Sequence, residues 1–115
     1  MKKIDALFTQ NIDGITCCRG HAIPLWATLL GENQINFSIN SVYAENCTLE
    51  LYHSGEKAPY ARIRVPEEYR IGGNYAIGVF GQDPDDLKYT WRFGGKMDPQ
   101  RRRHQRSREQ NVNSQ

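Results

Sequence analysis

The sequence predicts an all-β fold, a β-sandwich built as one domain. Three observations carry this. Apolar and polar residues alternate in several short runs. Turn signals rich in Gly, Pro, Asn and Asp separate those runs at roughly ten-residue spacing. No window of about a dozen residues carries a 3.6-residue apolar period, so no amphipathic helix is expected.

The elements follow in order. Residues 1–22 show no firm period and read as a loose arm; the arm proper is placed at residues 1–13. The stretch Ile23–Leu30 is apolar with Pro24 near its start, which suits an edge strand or a strap across the sandwich. Ile35, Phe37 and Ile39 alternate with Asn36, Ser38 and Asn40, the pattern of a half-buried strand. Cys47, Leu49 and Leu51 alternate with Thr48, Glu50 and Tyr52, and His53-Ser54-Gly55-Glu56 turns the chain. Ala61, Ile63 and Val65 form a third strand that Pro66 ends. Gly72-Gly73-Asn74 is a turn, and Tyr75, Ile77 and Val79 open a fourth strand. After Gln82-Asp83-Pro84-Asp85-Asp86, a fifth strand carries Leu87, Tyr89, Trp91 and Phe93 on one phase and Lys88, Thr90 and Arg92 on the other. The sandwich is thus expected over residues 14–99.

Length and charge bound what else the chain can be. Its 115 residues suffice for one domain. A (β/α)₈ barrel needs about 250 residues and is excluded. No apolar run approaches the ~20 residues of a membrane-spanning helix, and the N-terminus lacks the apolar core of a secretion signal, so a cytoplasmic location is expected. Residues 1–100 carry a net charge of −2, whereas residues 101–115, with five arginines against Glu109 alone, carry +4. That tail has only Val112 as an aliphatic residue, so residues 100–115 are expected to be disordered.

Catalytic and metal chemistry find little support. No nucleophile elbow, phosphate-cradling loop or His-Glu-x-x-His occurs. The vicinal Cys17-Cys18 with His21 lacks zinc-knuckle spacing, and Cys47 leaves an odd total that argues against a disulfide framework. His21, His53 and His104 fall in an arm, a turn and a tail. The carboxylate pairs Glu67-Glu68 and Asp85-Asp86 sit at turns, where solvated charge is the default. No catalytic, cofactor-binding or metal-binding residue is assigned, and no cofactor is expected.

Binding offers more. A flat exposed aromatic ring flanked by polar groups suits the apolar C–H faces of a sugar. Trp26 is balanced between core and surface; Trp91 shares its phase with Leu87, Tyr89 and Phe93 and belongs to the core; Tyr60 and Tyr69 flank the third strand. The row Lys88, Thr90 and Arg92 reads as a solvated sheet face able to hydrogen-bond hydroxyls. The tail Arg101-Arg102-Arg103-His104-Gln105-Arg106-Ser107-Arg108 is a nucleic-acid arm by charge, but no aromatic residue is present in it to stack bases, so a nucleic-acid partner is not expected.

One resemblance spans most of the body. Pro24-Leu25-x-Ala27-Thr28, Ile35-Asn36-Phe37-Ser38-Ile39-x-Ser41-x-x-Ala44, Leu49-x-Leu51-Tyr52, Pro59 and Tyr89-x-Trp91-Arg92-Phe93-x-Gly95-x-x-Asp98-Pro99 occur in this order. Together they resemble the N-terminal domain of bacterial glycogen debranching enzymes, the isoamylase and pullulanase-like branch of glycoside hydrolase family 13. That domain is a family 48 carbohydrate-binding module with an immunoglobulin-like sandwich. The resemblance covers about residues 14–99. It implies a non-catalytic module of an enzyme that cleaves α-1,6 branch linkages of glycogen or starch, packed on a catalytic barrel that this chain lacks. After Pro99 the composition changes abruptly, as in a truncated or frame-shifted product. Three departures stand out. Trp26 occupies a position that is usually glycine. Gly94 and Lys96 replace an acid and a proline. The turn from His53 to Pro59, and the neighbourhood of Met97, lack the tryptophans that serve related modules as sugar platforms. The alternatives are a free-standing module for α-glucan (glycogen, amylopectin) and an interaction protein whose basic tail takes RNA or an acidic partner.

Overall fold

The computed structural model describes residues 8–31, 33–95 and 110–111 of the chain. Among the described residues, ten strands form two antiparallel sheets: β1 (Gln10–Ile12), β2 (Ile15–Arg19), β3 (Trp26–Leu30), β4 (Gln34–Asn40), β5 (Asn46–His53), β6 (Ala61–Arg64), β7 (Arg70–Ile71), β8 (Asn74–Phe80), β9 (Leu87–Gly94) and β10 (Gln110–Asn111). One sheet runs β1-β2-β8-β4-β3, with β7 also on β8; the other runs β10-β9-β5-β6. The predicted all-β sandwich is the fold. Two single-turn 3-10 segments, Glu67–Tyr69 and Pro84–Asp86, are its helical pieces among the described residues.

The inner faces meet as the alternation requires. Ile35, Phe37, Ile39, Tyr75, Ile77 and Val79 from the first sheet face Cys47, Leu49, Leu51, Ile63, Leu87, Tyr89 and Trp91 from the second. Trp91 is fully buried at the centre of β9, opposite Leu49 of β5. Phe37 meets Tyr89 edge to face across the sheets, with centroids 4.8 Å apart. The buried Tyr75 hydroxyl donates to Ala44 O at 2.9 Å, which ties β8 to the β4–β5 connection.

Within the stretch expected to be a loose arm, residues 10–19 are ordered into strands. Residues 10–19 form a hairpin, β1–β2, closed at Asp13-Gly14 with Ile12 paired to Ile15. Both turn residues have positive φ (52° and 88°), the requirement of a two-residue turn that matches strand twist. Asp13 then reaches the open edge of β6, where its carboxylate accepts from Arg62 N–H at 2.8 Å. Residues 1–7 lie outside the described residues. The expectation of a disordered tail also falls outside them, except at Gln110 and Asn111, which pair with Tyr89 and Lys88.

The stretch expected to be either an edge strand or a strap is both. From Arg19 the chain crosses the outer face of β8 and β4 and becomes edge strand β3 at Trp26. Asn36 and Ser38 hold the crossing. Asn36 accepts from His21 N–H and donates to His21 O, at 2.7 and 3.0 Å, and Ser38 Oγ donates to Ala22 O at 2.7 Å. Asn74 Nδ2 adds a third anchor on Ala22 O. Hence β4 is buried on both faces rather than half-buried: Asn36 and Ser38 are 1% and 0% exposed. Their polar atoms are satisfied by the strap backbone, which is the condition for burying them.

Candidate functional site

Each residue type singled out above has a definite place. Trp91 is core. Trp26 is 46% exposed at the start of β3. Tyr69 is buried and accepts a hydrogen bond from Gln10 Nε2 at 2.9 Å. Cys17 and Cys18 point to opposite faces of β2, Cys17 into the core and Cys18 outward under the strap side, so they cannot chelate one ion together. Burial pushes the Cys17 thiol up to about 12 and raises Cys18 and Cys47 as well, which keeps all three protonated and inert at neutral pH. Among the described residues, no three His, Cys, Asp or Glu side chains converge as a metal site would need. His104 and Met97 lie outside the described residues.

The row Lys88, Thr90 and Arg92 is not a plain solvated face. Opposite Thr90 on β5 stands Glu50, only 4% exposed although it points outward. Its carboxylate accepts from Thr90 Oγ1 at 3.1 Å, Tyr52 OH at 3.3 Å, Arg62 Nε at 3.1 Å and Arg92 Nε at 3.3 Å. Burial opposes ionisation of Glu50, but the hydrogen bonds from Thr90 and Arg62 and the nearby Arg92 charge outweigh it and hold its pKa below the ordinary carboxylate value. The face is thus cross-braced across β9, β5 and β6. Glu50 spends its acceptors on these neighbours.

The hairpin between β5 and β6 presents a different surface. His53, the last residue of β5, stacks on Tyr60, just before β6, with ring centroids 4.1 Å apart and an interplanar angle of 14°. Closing the loop brings the two rings together: Tyr60 N–H donates to Leu51 O at 2.8 Å and Glu56 N–H to His53 O at 3.1 Å. Polar groups surround the stack. His53 Nδ1 lies 3.2 Å from Asp86 Oδ2, and Ser54 N–H donates to Asp86 Oδ1 at 3.1 Å. Tyr60 OH donates to Gln82 Oε1 at 2.5 Å. Burial, and then the Asp86 charge, push the Tyr60 phenol up to about 12, so it stays a donor. Asp86 belongs to the Asp85-Asp86 pair; it fixes this loop, while Asp85 N–H is capped by Asp83 Oδ1.

This arrangement is a rigid aromatic platform with an exposed imidazole edge and hydrogen-bonding groups at its rim. It stands in the turn where the sequence offers no tryptophan. The signal that could have found it is the pair of aromatic rings bracketing one hairpin loop, His53 at the strand end and Tyr60 before the return strand. Reading the loop for Trp alone missed it.

No protein-family profile matches the sequence. No curated protein matches it either. Among solved structures, the sandwich is similar to part of a pullulanase from Paenibacillus barengoltzii, whose structure is a complex with maltohexaose and alpha-cyclodextrin. The similarity covers 70% of this chain with a TM-score of 0.55 at 19% identity. This chain spans only about 12% of the length of that pullulanase. What the likeness shows is a shared β-sandwich fold.

Proposed function

We propose that the chain is a non-catalytic domain of a glycogen- or starch-debranching glycoside hydrolase, one that contacts α-glucan weakly at the His53–Tyr60 turn. The observation that carries this reading is the likeness of the sandwich to a 12% portion of a pullulanase solved with maltohexaose and alpha-cyclodextrin. The residues of the family resemblance support it, because they fall on the central strands: Ile35–Ile39 on β4, Leu49–Tyr52 on β5 and Tyr89–Phe93 on β9. The stacked His53–Tyr60 pair supports the glucan contact. It offers the half-exposed His53 ring, backed by Tyr60, and, at its rim, the half-exposed Asp86 carboxylate for sugar hydroxyls. A catalytic barrel would pack on the apolar residues of the strap and the start of β3, where Ile23, Leu25 and Trp26 are 76%, 41% and 46% exposed.

Co-sedimentation with glycogen, run beside a reducing-end assay on pullulan, tests the reading. The expected result is partial co-sedimentation that maltohexaose competes away, with no release of reducing ends. A chain that stays wholly in the supernatant, or that hydrolyses pullulan, contradicts it.

A further inference from the structure

A groove of about 500 Å³ opens at the β1–β2 side of the sandwich, lined by Phe8, Gln10, Cys18, Arg19, Glu68 and Tyr69 among others. Its volume lies within the ~300–1,000 Å³ range of small-molecule sites. It is far from the His53–Tyr60 stack. Tyr69 follows β6 beyond Val65, whose N–H bonds Cys47 O near the start of β5, whereas His53 closes the other end of β5. The groove and the stack share no residue.

Two side chains of this groove, Arg19 and Gln10, are set before any ligand arrives. Arg19 is fixed twice: one guanidinium nitrogen donates to Glu68 O, and the group lies 5.6 Å from the Tyr69 ring centroid, over its face. Gln10 is held by its hydrogen bond to the Tyr69 hydroxyl at 2.9 Å. Each keeps donors or acceptors unspent toward the groove, since Arg has five N–H donors and an amide has four hydrogen-bonding positions. Beside them Phe8 is 91% exposed, an aromatic ring open to solvent. The thiol of Cys18, 1% exposed, forms part of the floor and is occupied by Arg19 O at 3.3 Å. It supplies packing surface, not reactivity.

The chemistry selects the ligand. An exposed ring next to two planar, bidentate polar groups fits a pyranose: the C–H face lies on Phe8, and neighbouring hydroxyls bridge to the Arg19 guanidinium and the Gln10 amide. Glu68 lines the same groove, so its formal charge offsets that of Arg19 there. A charge-balanced groove favours a neutral ligand over an anion, which would meet Glu68 at close range.

We propose that this groove is a second α-glucan subsite. The proposal rests on the glucan-binding reading given above and adds to it a separate place on the molecule. A long glucan would engage both subsites at once, while a short oligosaccharide fills either one alone. Linking the two contacts through a single polymer raises the apparent affinity without any new contact.

Titration of the isotopically labelled chain with maltotriose, followed residue by residue by NMR, tests it. The expected result is two sets of saturating shifts, one at His53, Tyr60 and Gln82 and one at Gln10 and the Arg19 Nε–H. Phe8→Ala, a change at an exposed position that leaves the fold intact, weakens the second set about fivefold or more and spares the first. Arg19→Gln does the same. Phe8→Ala also lowers apparent glycogen affinity about tenfold. Shifts confined to the His53 turn would overturn the second subsite and leave the glucan reading standing. Shifts confined to the groove would support the second subsite and remove the turn from the site. No shift anywhere would overturn both. Equal shifts with cellotriose would overturn the assignment to α-glucan.

Discussion

Trp26 holds a backbone conformation that side chains rarely adopt, with φ at 73°. The family resemblance expects glycine at this position, and the angle supplies the physical reason: glycine enters the left-handed region without a Cβ penalty. Here a half-exposed indole bears that cost. Trp26→Gly is therefore expected to be more stable than Trp26→Ala by about 1 kcal/mol, since both lose the ring but only alanine keeps the penalty. Urea unfolding of the two variants measures this directly, and an alanine variant equal to or above the glycine variant would refute it. Glu50 is the second residue with a leverage beyond its size. Because its pKa is lower in the folded state than in the unfolded one, its stabilisation is present above the unfolded value of ~4.3 and is lost as pH falls through the folded value. Glu50→Gln is expected to cost about 1–3 kcal/mol at neutral pH, the range for hydrogen bonds to a charged group, and to flatten the acid limb of the stability curve. An unchanged acid limb would mean that other carboxylates dominate there.

Among the elements, β4, β5, β6, β8 and β9 were legible from period-two alternation, because one face of each meets the core. The β1–β2 hairpin was legible in principle and was missed. Its signal was Asp13-Gly14 between Ile12 and Ile15, which outweighs the lack of longer periodicity in residues 1–22. The outer burial of β4 was not legible. Asn36 and Ser38 are polar, and alternation assigns polar residues to solvent; nothing local says that a distant backbone will lie on them. The residue that permits this approach is Gly20, whose added Cβ would fall 2.7 Å from Asn36 Oδ1 and against the backbone at Ile77 N. Gly20→Ala is thus expected to lift the strap and destabilise the domain by roughly 2 kcal/mol or more. Thermal unfolding checks the loss, and hydrogen exchange checks its place: the amides of His21 and residues nearby should lose protection first. The same burial predicts that Cys17, Cys18 and Cys47 resist alkylation at pH 8 in the native protein and react in urea. Rapid labelling of any one of them in the native state would contradict the packing.

At the scale of the whole molecule, the sandwich has a complete core and an incomplete surface. Trp91, Tyr75, Tyr89 and Phe37 are buried, yet Ile23, Leu25, Trp26 and Leu29 along one edge, and Val42, Tyr43 and Ile71 near another turn, remain exposed. Exposed apolar side chains of this size favour contacts between molecules where they adjoin. Self-association that rises with concentration is the expected outcome in sedimentation velocity, and a monomer unchanged to millimolar concentration would contradict it. The candidate glucan platform was less legible than the core for a physical reason. Core positions announce themselves by period, whereas the His53–Tyr60 stack depends on how one hairpin loop closes and on Asp86 and Gln82 arriving from the β8–β9 connection. Under the function proposed here, the sandwich binds α-glucan and the His53–Tyr60 stack takes part. Native electrophoresis of the parent chain and Tyr60→Ala through gels with amylopectin, with dextran and with no polysaccharide tests it most directly. The expected result is retardation of the parent in amylopectin alone, reduced in Tyr60→Ala. Equal mobility of the parent in all three gels would contradict it.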